Sequence, residues 1–506
     1  MYVSTFLTLQ SALSGVEAAQ EELGITSNNI TNASTPDYED ESVNLVESDP
    51  LTLTDAYGSY ELGTGVNADG VQSASDPYVD AAWRQANSNS SSASTGESYL
   101  SQIQTLVGSP SSTTGIASEL ATFWSDWSSL ATDPTSTSAK QAVVDDGNQL
   151  SQLFNSLGES LTGSGADSVL SQAQSQYAGL LAPPTGSGTT GGQVYNDASQ
   201  IASLNNAIVQ AQQGGQADNT LIDQRNAAID NLSSLGNVSV SANSDGSVSV
   251  YFGGVTSAAL VSDPVGSSNS TSEDPGNNFA GSWMTAWNSQ FSAANAAAAA
   301  AASANDTTQT ASALANTVGG TLGALIGLTG YSASGAATST NPATSIGTIG
   351  LTSSSLNNVV ASLVSEVNGA YGANGFFTST GTTASTLSVS ASLTANAATL
   401  ATSTTSDPGA NDIALAEAGL SGGEADKGFD AFVAQVGEYV ANAKDDVTTT
   451  SAVTTQVSDQ RSSVEGVDQS QEMENLIQEQ QAYEASAKVM NAFSTVMDSL
   501  FSAVGA

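Results

Sequence analysis

At both ends of the chain the hydrophobic positions recur at steps of three and four. Near the start the larger apolar residues are Phe6, Leu9, Leu13, Val16, Leu23 and Ile30, with Gln20 and Ser27 at the two skipped positions. That spacing predicts a long helix carrying a heptad stripe on one face. Near the end Leu476, Gln480, Tyr483, Ala487, Met490, Ser494, Met497 and Phe501 repeat the pattern. A stripe of about seven apolar side chains contributes on the order of 10–20 kcal/mol gross when covered, whereas a solitary amphipathic helix in water is marginal. Each stripe therefore needs a second helix. Periodicity leaves open whether that helix is the other end of the same chain or part of another subunit.

Between the ends the pattern predicts helices over 80–107, 116–130, 139–161, 194–212 and 221–235. Thr35-Pro36-Asp37-Tyr38 fits a type I turn with Pro36 second, and 39–69 reads as extended and only partly regular. Pro183-Pro184 and the glycines to Gly192 mark a loop. Val238 to Phe252 alternates around Asn243-Ser244-Asp245-Gly246, which predicts a β-hairpin. Gly, Ser, Thr and Ala then dominate to about residue 353, with a poly-alanine tract at 296–302. A helix at 355–370, a strand at 387–393 and a helix at 429–457 lead into the closing helix. The expected class is mainly α with a β-rich inserted module, in a nested arrangement. Residues 1–45 and 460–506 would pair as a coiled-coil-like inner domain, and 46–236 with 354–459 would form a helical-bundle middle domain. Residues 237–353 would form a β-rich outer domain, with strands near 376–405 as a candidate extension.

Composition removes most chemistry. The 506 residues, enough for about three domains, include no cysteine and no histidine. Disulfide scaffolds, thiol catalysis, Cys/His zinc sites and histidine-based triads are excluded. Seven Lys plus Arg against 49 Asp plus Glu give a net charge of −42, a surface that repels nucleic acid phosphates and anionic lipid. No run reaches the roughly 18–20 apolar residues that span a bilayer, so no membrane insertion is expected. The first residues lack a basic n-region, and Glu17, Glu21 and Glu22 follow, so no cleaved signal peptide is expected. Glu39-Asp40-Glu41 lacks the EF-hand spacing and reads as a solvated face. Gly319 to Gly330 lacks GK[ST] and is no phosphate loop. No catalytic residue, cofactor or metal is expected. Arg225, in a chain so poor in bases, is expected to satisfy a buried or interface carboxylate such as Asp223 or Asp230.

Four stretches carry a resemblance. Ser27-Asn28-Asn29-Ile30-Thr31-Asn32-Ala33-Ser34-Thr35-Pro36-Asp37-Tyr38 resembles the SNNIxNxxTxGY motif of bacterial flagellar axial proteins, with Asp37 in place of the motif's glycine. Leu221-Ile222-Asp223-Gln224-Arg225-Asn226 resembles LLDQRD, and Gly319 to Leu325 resembles GGxLGxLL. Ser463-Val464-Glu465-Gly466-Val467-Asp468 through Gln480-Gln481-Ala482-Tyr483 resembles SVSGVNLDEE…QQAYxA, with Glu465 for the second serine. Together they resemble the hook-associated protein 1 family, while 279–350 matches little of it.

The resemblance implies a structural adapter that joins hook to filament, packed as a homo-oligomer in a helical tube. Subunit contacts would use Phe6, Leu9, Leu13, Val16, Leu23, Ile30, Leu476, Tyr483, Met490, Met497 and Phe501. Motif positions carried over are Asn28, Asn29, Asn32, Pro36, Tyr38, Asp223, Gln224, Arg225, Gly466 and Val467. Implied neighbours are the hook protein, the next hook-associated junction protein and an export chaperone on the closing helix. The implied location is extracellular, reached through the flagellar type III apparatus. A hook or rod protein, or a secreted adhesin with a coiled-coil stalk, are the alternatives.

Overall fold

The structure, a computed structural model, describes residues 2–504 apart from 37, 56–57, 109–114, 183–190, 215–217, 263–281, 291–307, 333–334, 337–344, 373–374, 406 and 408. The predicted Pro183-Pro184 loop and the poly-alanine tract lie outside the described residues, as does Asp37.

Helix α1 (Tyr2–Asn32) opens the chain. Two nested antiparallel hairpins follow. In the outer one β1 (Glu41–Glu47) pairs with β4 (Val66–Ser73), in register Glu41 to Ser73 and Glu47 to Val66. In the inner one β2 (Leu51–Asp55) pairs with β3 (Gly58–Leu62). The stretch expected to be only partly regular is thus a ladder.

Six helices come next: α2 (Pro77–Val107), α3 (Ile116–Thr132), α4 (Thr137–Thr162), α5 (Val169–Leu180), α6 (Gln193–Gln213) and α7 (Asn219–Leu235). Their starts follow local chemistry. Asp76, Ser136, Ser168 and Asp218 each accept a backbone N–H from the first turn that follows, and Pro77 occupies the first position of α2, where no N–H is needed. Helix α5 was not anticipated.

The expected hairpin is present as β5 (Val238–Ala242) and β6 (Val248–Phe252), paired Val238 to Phe252. Val248, Val250 and Phe252 are buried in alternation. Beyond it the described residues are mainly helical, with few strands. A helical stretch at 282–290 is followed by α8 (Thr308–Val318) and α9 (Gly320–Thr329). Among the described residues the further strands are β7 (Gly330–Ser332), β8 (Gly335–Ala336) and β9 (Ser345–Ile346), a minimal three-stranded sheet in the order β8-β7-β9. Helix α9 is apolar enough to bury most of its surface.

Helix α10 (Thr348–Tyr371) comes next, followed by α11 (Ala391–Ala395) and α12 (Asp412–Ala418). The strand expected at 387–393 is instead a single bridge, Phe377 to Val389, running into α11. Leu387, Val389 and Leu393 are buried, so alternation reported burial rather than sheet pairing. Helices α13 (Glu424–Glu465) and α14 (Gln469–Val504) close the chain.

One apolar core joins α2 to α13, including the hairpin, the 282–290 stretch and α9. Phe123, Trp127, Tyr371, Phe376 and Phe377 meet with ring centroids 5.0–6.3 Å apart. Phe252, Trp283 and Trp287 form a second aromatic group. Helix α13 runs antiparallel along α2: Arg461 lies over Trp83, Thr454 donates to the Ala86 carbonyl, and Val433 shares a groove with Val107. Among the described residues no helix is long and apolar enough to cross a membrane.

Candidate functional site

Helices α1 and α14 lie side by side, and their contacts fix an antiparallel direction. A Cβ built on Gly15 would sit 3.1 Å from Ser486 Oγ. Thr26 Oγ1 donates to Glu479 Oε1 (2.9 Å), and Asn29 Nδ2 donates to Glu472 Oε2 (3.0 Å). The α1 residues on this seam are Gly15, Thr26 and Asn29, in phase with buried Ala12 and Ala19 and with Glu22. Positions 12, 15, 19, 22, 26 and 29 alternate steps of three and four, one residue behind the apolar row read from the sequence.

The larger residues are therefore not the intrachain seam. Leu13 is 45 % exposed, and Leu9, Val16, Leu23 and Ile30 are half-buried. On α14 Leu476, Met490 and Met497 are half-buried, Tyr483 is 40 % exposed, and Met473, Ile477, Val489 and Val496 are exposed. The side chains of Phe6 and Phe501 lie outside the described residues. Small residues let two backbones approach closely, so the pair closes on alanine and glycine and leaves its bulk outside.

The flagellar-type motif folds into a hydrogen-bonded turn at the end of α1. Asn32 Nδ2 donates back to Asn28 Oδ1 (2.8 Å), Thr35 N donates to the Asn32 carbonyl (2.7 Å), and Tyr38 N donates to the Thr35 carbonyl (3.4 Å). The last bond closes the expected turn with Pro36 in second place. Asn28 Nδ2 donates to Tyr38 Oη (3.3 Å). Asn29, 1 % exposed, is the hub: its Nδ2 also donates to Asp40 Oδ1 (2.6 Å) and the Glu41 carbonyl (2.8 Å), and its Oδ1 accepts from Tyr38 Oη (2.8 Å) and Glu41 N (3.2 Å). Burial, then the Glu41 carboxylate, raises the Tyr38 pKa, which keeps the phenol protonated to donate.

Next to this turn the chain concentrates its arginines. It has three, Arg84, Arg225 and Arg461, and all lie where the terminal segments meet the body. Arg461 on α13 pairs with Asp230 (2.7 Å), Glu465 (2.8 Å) and Asp80 (3.0 Å), and its guanidinium sits 5.2 Å from the Trp83 ring centre. Arg84 on α2 holds the other oxygens of the same two aspartates, at 2.6 Å (Asp230) and 3.2 Å (Asp80). Burial opposes the charge on Arg461, but Asp230, Glu465 and Asp80 outweigh it and raise its pKa.

Two guanidinia thus clamp α2, α7 and α13 through shared carboxylates. Glu465 carries the clamp onward, since its Oε1 accepts from Asp76 N (2.9 Å) and its carbonyl accepts from Asp40 N (2.7 Å). Gly466 follows because a Cβ there would collide with the Ser462 carbonyl. Val467 is half-buried beside it.

Arg225 departs from expectation. Its Nη1 donates to the Gly246 carbonyl at the hairpin turn (2.9 Å), and the carboxylate that acts favourably on its charge is Glu39. Burial, then Arg84 alongside, pushes it down to about 10. The Asp230 proposed for it is held instead by Arg84 and Arg461. Glu39 accepts from Asn226 Nδ2 (3.2 Å) and from Ser73. Asp223 acts electrostatically on Tyr38, and Gln224 faces solvent. Sequence reasoning missed the Arg84–Asp80–Arg461–Glu465 set; the signal was that a chain with three arginines places two of them where desolvated carboxylates need a partner. These groups make hydrogen bonds and ion pairs between segments, a mechanical joint.

Comparison with known proteins assigns this architecture to a class. The helix with the Asn29 turn matches a model described as flagella basal body rod protein (residues 9–38). The closing helix matches one described as flagellar basal body rod FlgEFG protein C-terminal (460–503). The ends are those of a flagellar axial protein.

Residues 100–180 and 188–387, more than half of the chain, match the flagellar hook-associated protein FlgK helical domain, and the chain belongs to that family. Flagellar hook-associated protein 1 of Bacillus subtilis is 31% identical over 246 residues, covering 48% of this chain and 45% of that protein. The Salmonella typhimurium protein of the same name is 26% identical over 240 residues, covering 47% and 40%. The matched region thus spans less than half the length of these relatives. A solved structure of the flagellar hook junction protein FlgK from Burkholderia pseudomallei is 20% identical with a TM-score of 0.36, covering 57% of this chain and 43% of that one, too weak a likeness to carry argument.

Proposed function

We propose that the chain is a structural adapter of the bacterial flagellum that joins hook to filament through its terminal helices. The observation that carries this reading is the offset on α1: the intrachain seam uses small and polar residues, and the row with Leu9, Leu13, Val16, Leu23 and Ile30 is left outside it. In the proposed assembly 1–45 and 460–506 form an inner coiled-coil-like unit. Its outer rows, on α14 including Leu476, Tyr483, Met490 and Met497, meet the same unit of neighbouring subunits in a tube. Residues 46–236 and 354–459 form the wall, and the arginine joint transmits load between the two.

The hook protein lies below and the next hook-associated junction protein above. Export uses the flagellar type III apparatus, with a chaperone on the closing helix. A rod or hook role would fit the matches at the two ends, but the family match over 100–387 favours the junction. The test is deletion of the gene in its own host. The expected result is cells with hooks, no filaments and flagellin shed into the medium; filamented, motile cells overturn the proposal.

A further inference from the structure

We infer that pairing of the two terminal helices takes up a proton at Asp40, so that the inner unit tightens on acidification and loosens as the pH rises. Hydrogens and acceptors do not match in number around Asn29. Asn29 Nδ2 carries two, yet three oxygens lie within 3.0 Å of it: Asp40 Oδ1 (2.6 Å), the Glu41 carbonyl (2.8 Å) and Glu472 Oε2 (3.0 Å). Asn29 is 1 % and Glu472 5 % exposed, whereas Asp40 is half-buried, so two of the three groups are nearly out of reach of water. A buried acceptor left without a hydrogen is costly, and two facing carboxylates are costlier still. One proton on the Asp40 carboxyl removes both problems, because it cancels a charge and turns an acceptor into a donor.

The charges around Asp40 point the same way. Helix α1 presents Glu22; the segment leaving it presents Tyr38, Glu39 and Glu41; α14 presents Glu472 and Glu479. Helix α7 contributes Asp223, which acts on Tyr38, and Arg225, which is turned to Gly246 and Glu39. Helix α13 contributes Glu465 and Arg461, the latter taken up by Asp230, Asp80 and Glu465. Among the described residues no base is aimed at Asp40. A cleft of about 520 Å3 lined by Glu22, Thr26, Asp40, Glu41, Glu472 and Glu479 gives protons access.

Burial first, then Glu472, pushes Asp40 up to about 6 from an ordinary 3.8, and burial also raises Glu22 and Glu479. The sign follows from linkage. A carboxyl whose pKa is higher in the paired state binds its proton more tightly there. Its contribution is complete below 3.8 and is lost as the pH rises through about 6.

The proposal is independent of the adapter role, whose test is the deletion phenotype. The chain contains no cysteine, so Gln20→Cys and Gln481→Cys, exposed positions on α1 and α14, accept a pair of spin labels in the full-length protein. Pulsed dipolar spectroscopy then reads the ratio of close to distant pairs at pH 4 and pH 7. The expected result is a ratio that falls on the order of 10–100-fold between those values, since one pKa unit is a factor of ten. Asp40→Asn supplies the donor permanently and should hold the ratio high at both pH values. Glu472→Gln should raise the ratio at pH 7. A wild-type ratio that does not change with pH, or an Asp40→Asn protein that keeps the wild-type response or stays open throughout, overturns the inference.

Discussion

The helical body and the terminal pair are built on the same period and held by different forces. In the body Phe123, Trp127, Phe154 and Phe252 are fully buried, and α3, α4 and α10 each contribute a row of large apolar side chains to one core. In the pair, the described residues of α1 that are buried are Ala12, Ala18, Ala19, Thr26 and Asn29, and on α14 only Glu472 joins them. Covering one alanine methyl contributes about 0.8 kcal/mol, far less than the ordering of two helices longer than 30 residues costs. The body carries its own stability. The pair depends on the joint that anchors it and on whatever covers its outer rows.

The two regions are tied together at the clamp. Arg461→Ala leaves Asp80, Asp230 and Glu465 buried with one guanidinium in place of two, a loss of about 3–5 kcal/mol by analogy with other broken buried pairs. Urea unfolding of the full chain measures it; a loss under 1 kcal/mol would mean that the clamp contributes little. A smaller effect is expected inside the body. Gly320 has φ +56° and faces Gly236 and Leu235 so closely that a Cβ would collide with their backbone. Gly320→Ala should therefore cost about 2–4 kcal/mol, read by the same unfolding curves.

The third effect is a gain. Glu417, on α12, is fully buried, neither of its oxygens has a hydrogen-bond partner, and burial pushes it up to about 9. Its folded pKa lies above the unfolded value, so the stability it permits is complete below about 4.5 and drains away as pH rises towards 9. Glu417→Gln cannot ionise. It should be more stable than the parent by on the order of 2 kcal/mol at pH 8 and near parity at pH 5. Thermal melts at the two pH values decide, and equal shifts at both would show that ionisation is not the cause.

How far the sequence could be read depends on contrast. The 238–252 hairpin was legible because strict alternation flanks a turn-forming Asn-Ser-Asp-Gly, and Val248, Val250 and Phe252 do bury one face. The segment after it was misread as β-rich because Gly, Ser, Thr and Ala give little apolar contrast, so the helices α8 and α9 leave no clear period. The terminal helices were found at once, but the row that lines the seam between them was not named. Periodicity weighs large side chains, and this seam is made of Ala12, Gly15, Ala19 and Thr26. In the joint, Asp230 was recognised as an ion-pair carboxylate and assigned to the wrong arginine. Its partners, Arg84 and Arg461, are 146 and 231 residues away in sequence, and one sequence carries no record of such distances.

The apolar row beside that seam carries the smallest expected effect on the isolated chain. Leu13 is 45 % exposed and Val16 half-buried, both on the row beside the seam. Leu13→Ser with Val16→Ser should change the stability of the purified chain by about 0.5 kcal/mol or less per site, as exposed substitutions usually do. Ala19→Leu, in contrast, puts a large side chain at a position 2 % exposed and should force the helices apart. If the outer row is what neighbouring subunits cover, the double serine variant leaves the melting curve where it was and still fails to restore filaments to cells lacking the gene. Full restoration of filaments by that variant would mean that this row meets no partner, and the terminal pair would then have to be held together by the carboxylate seam and the arginine joint alone.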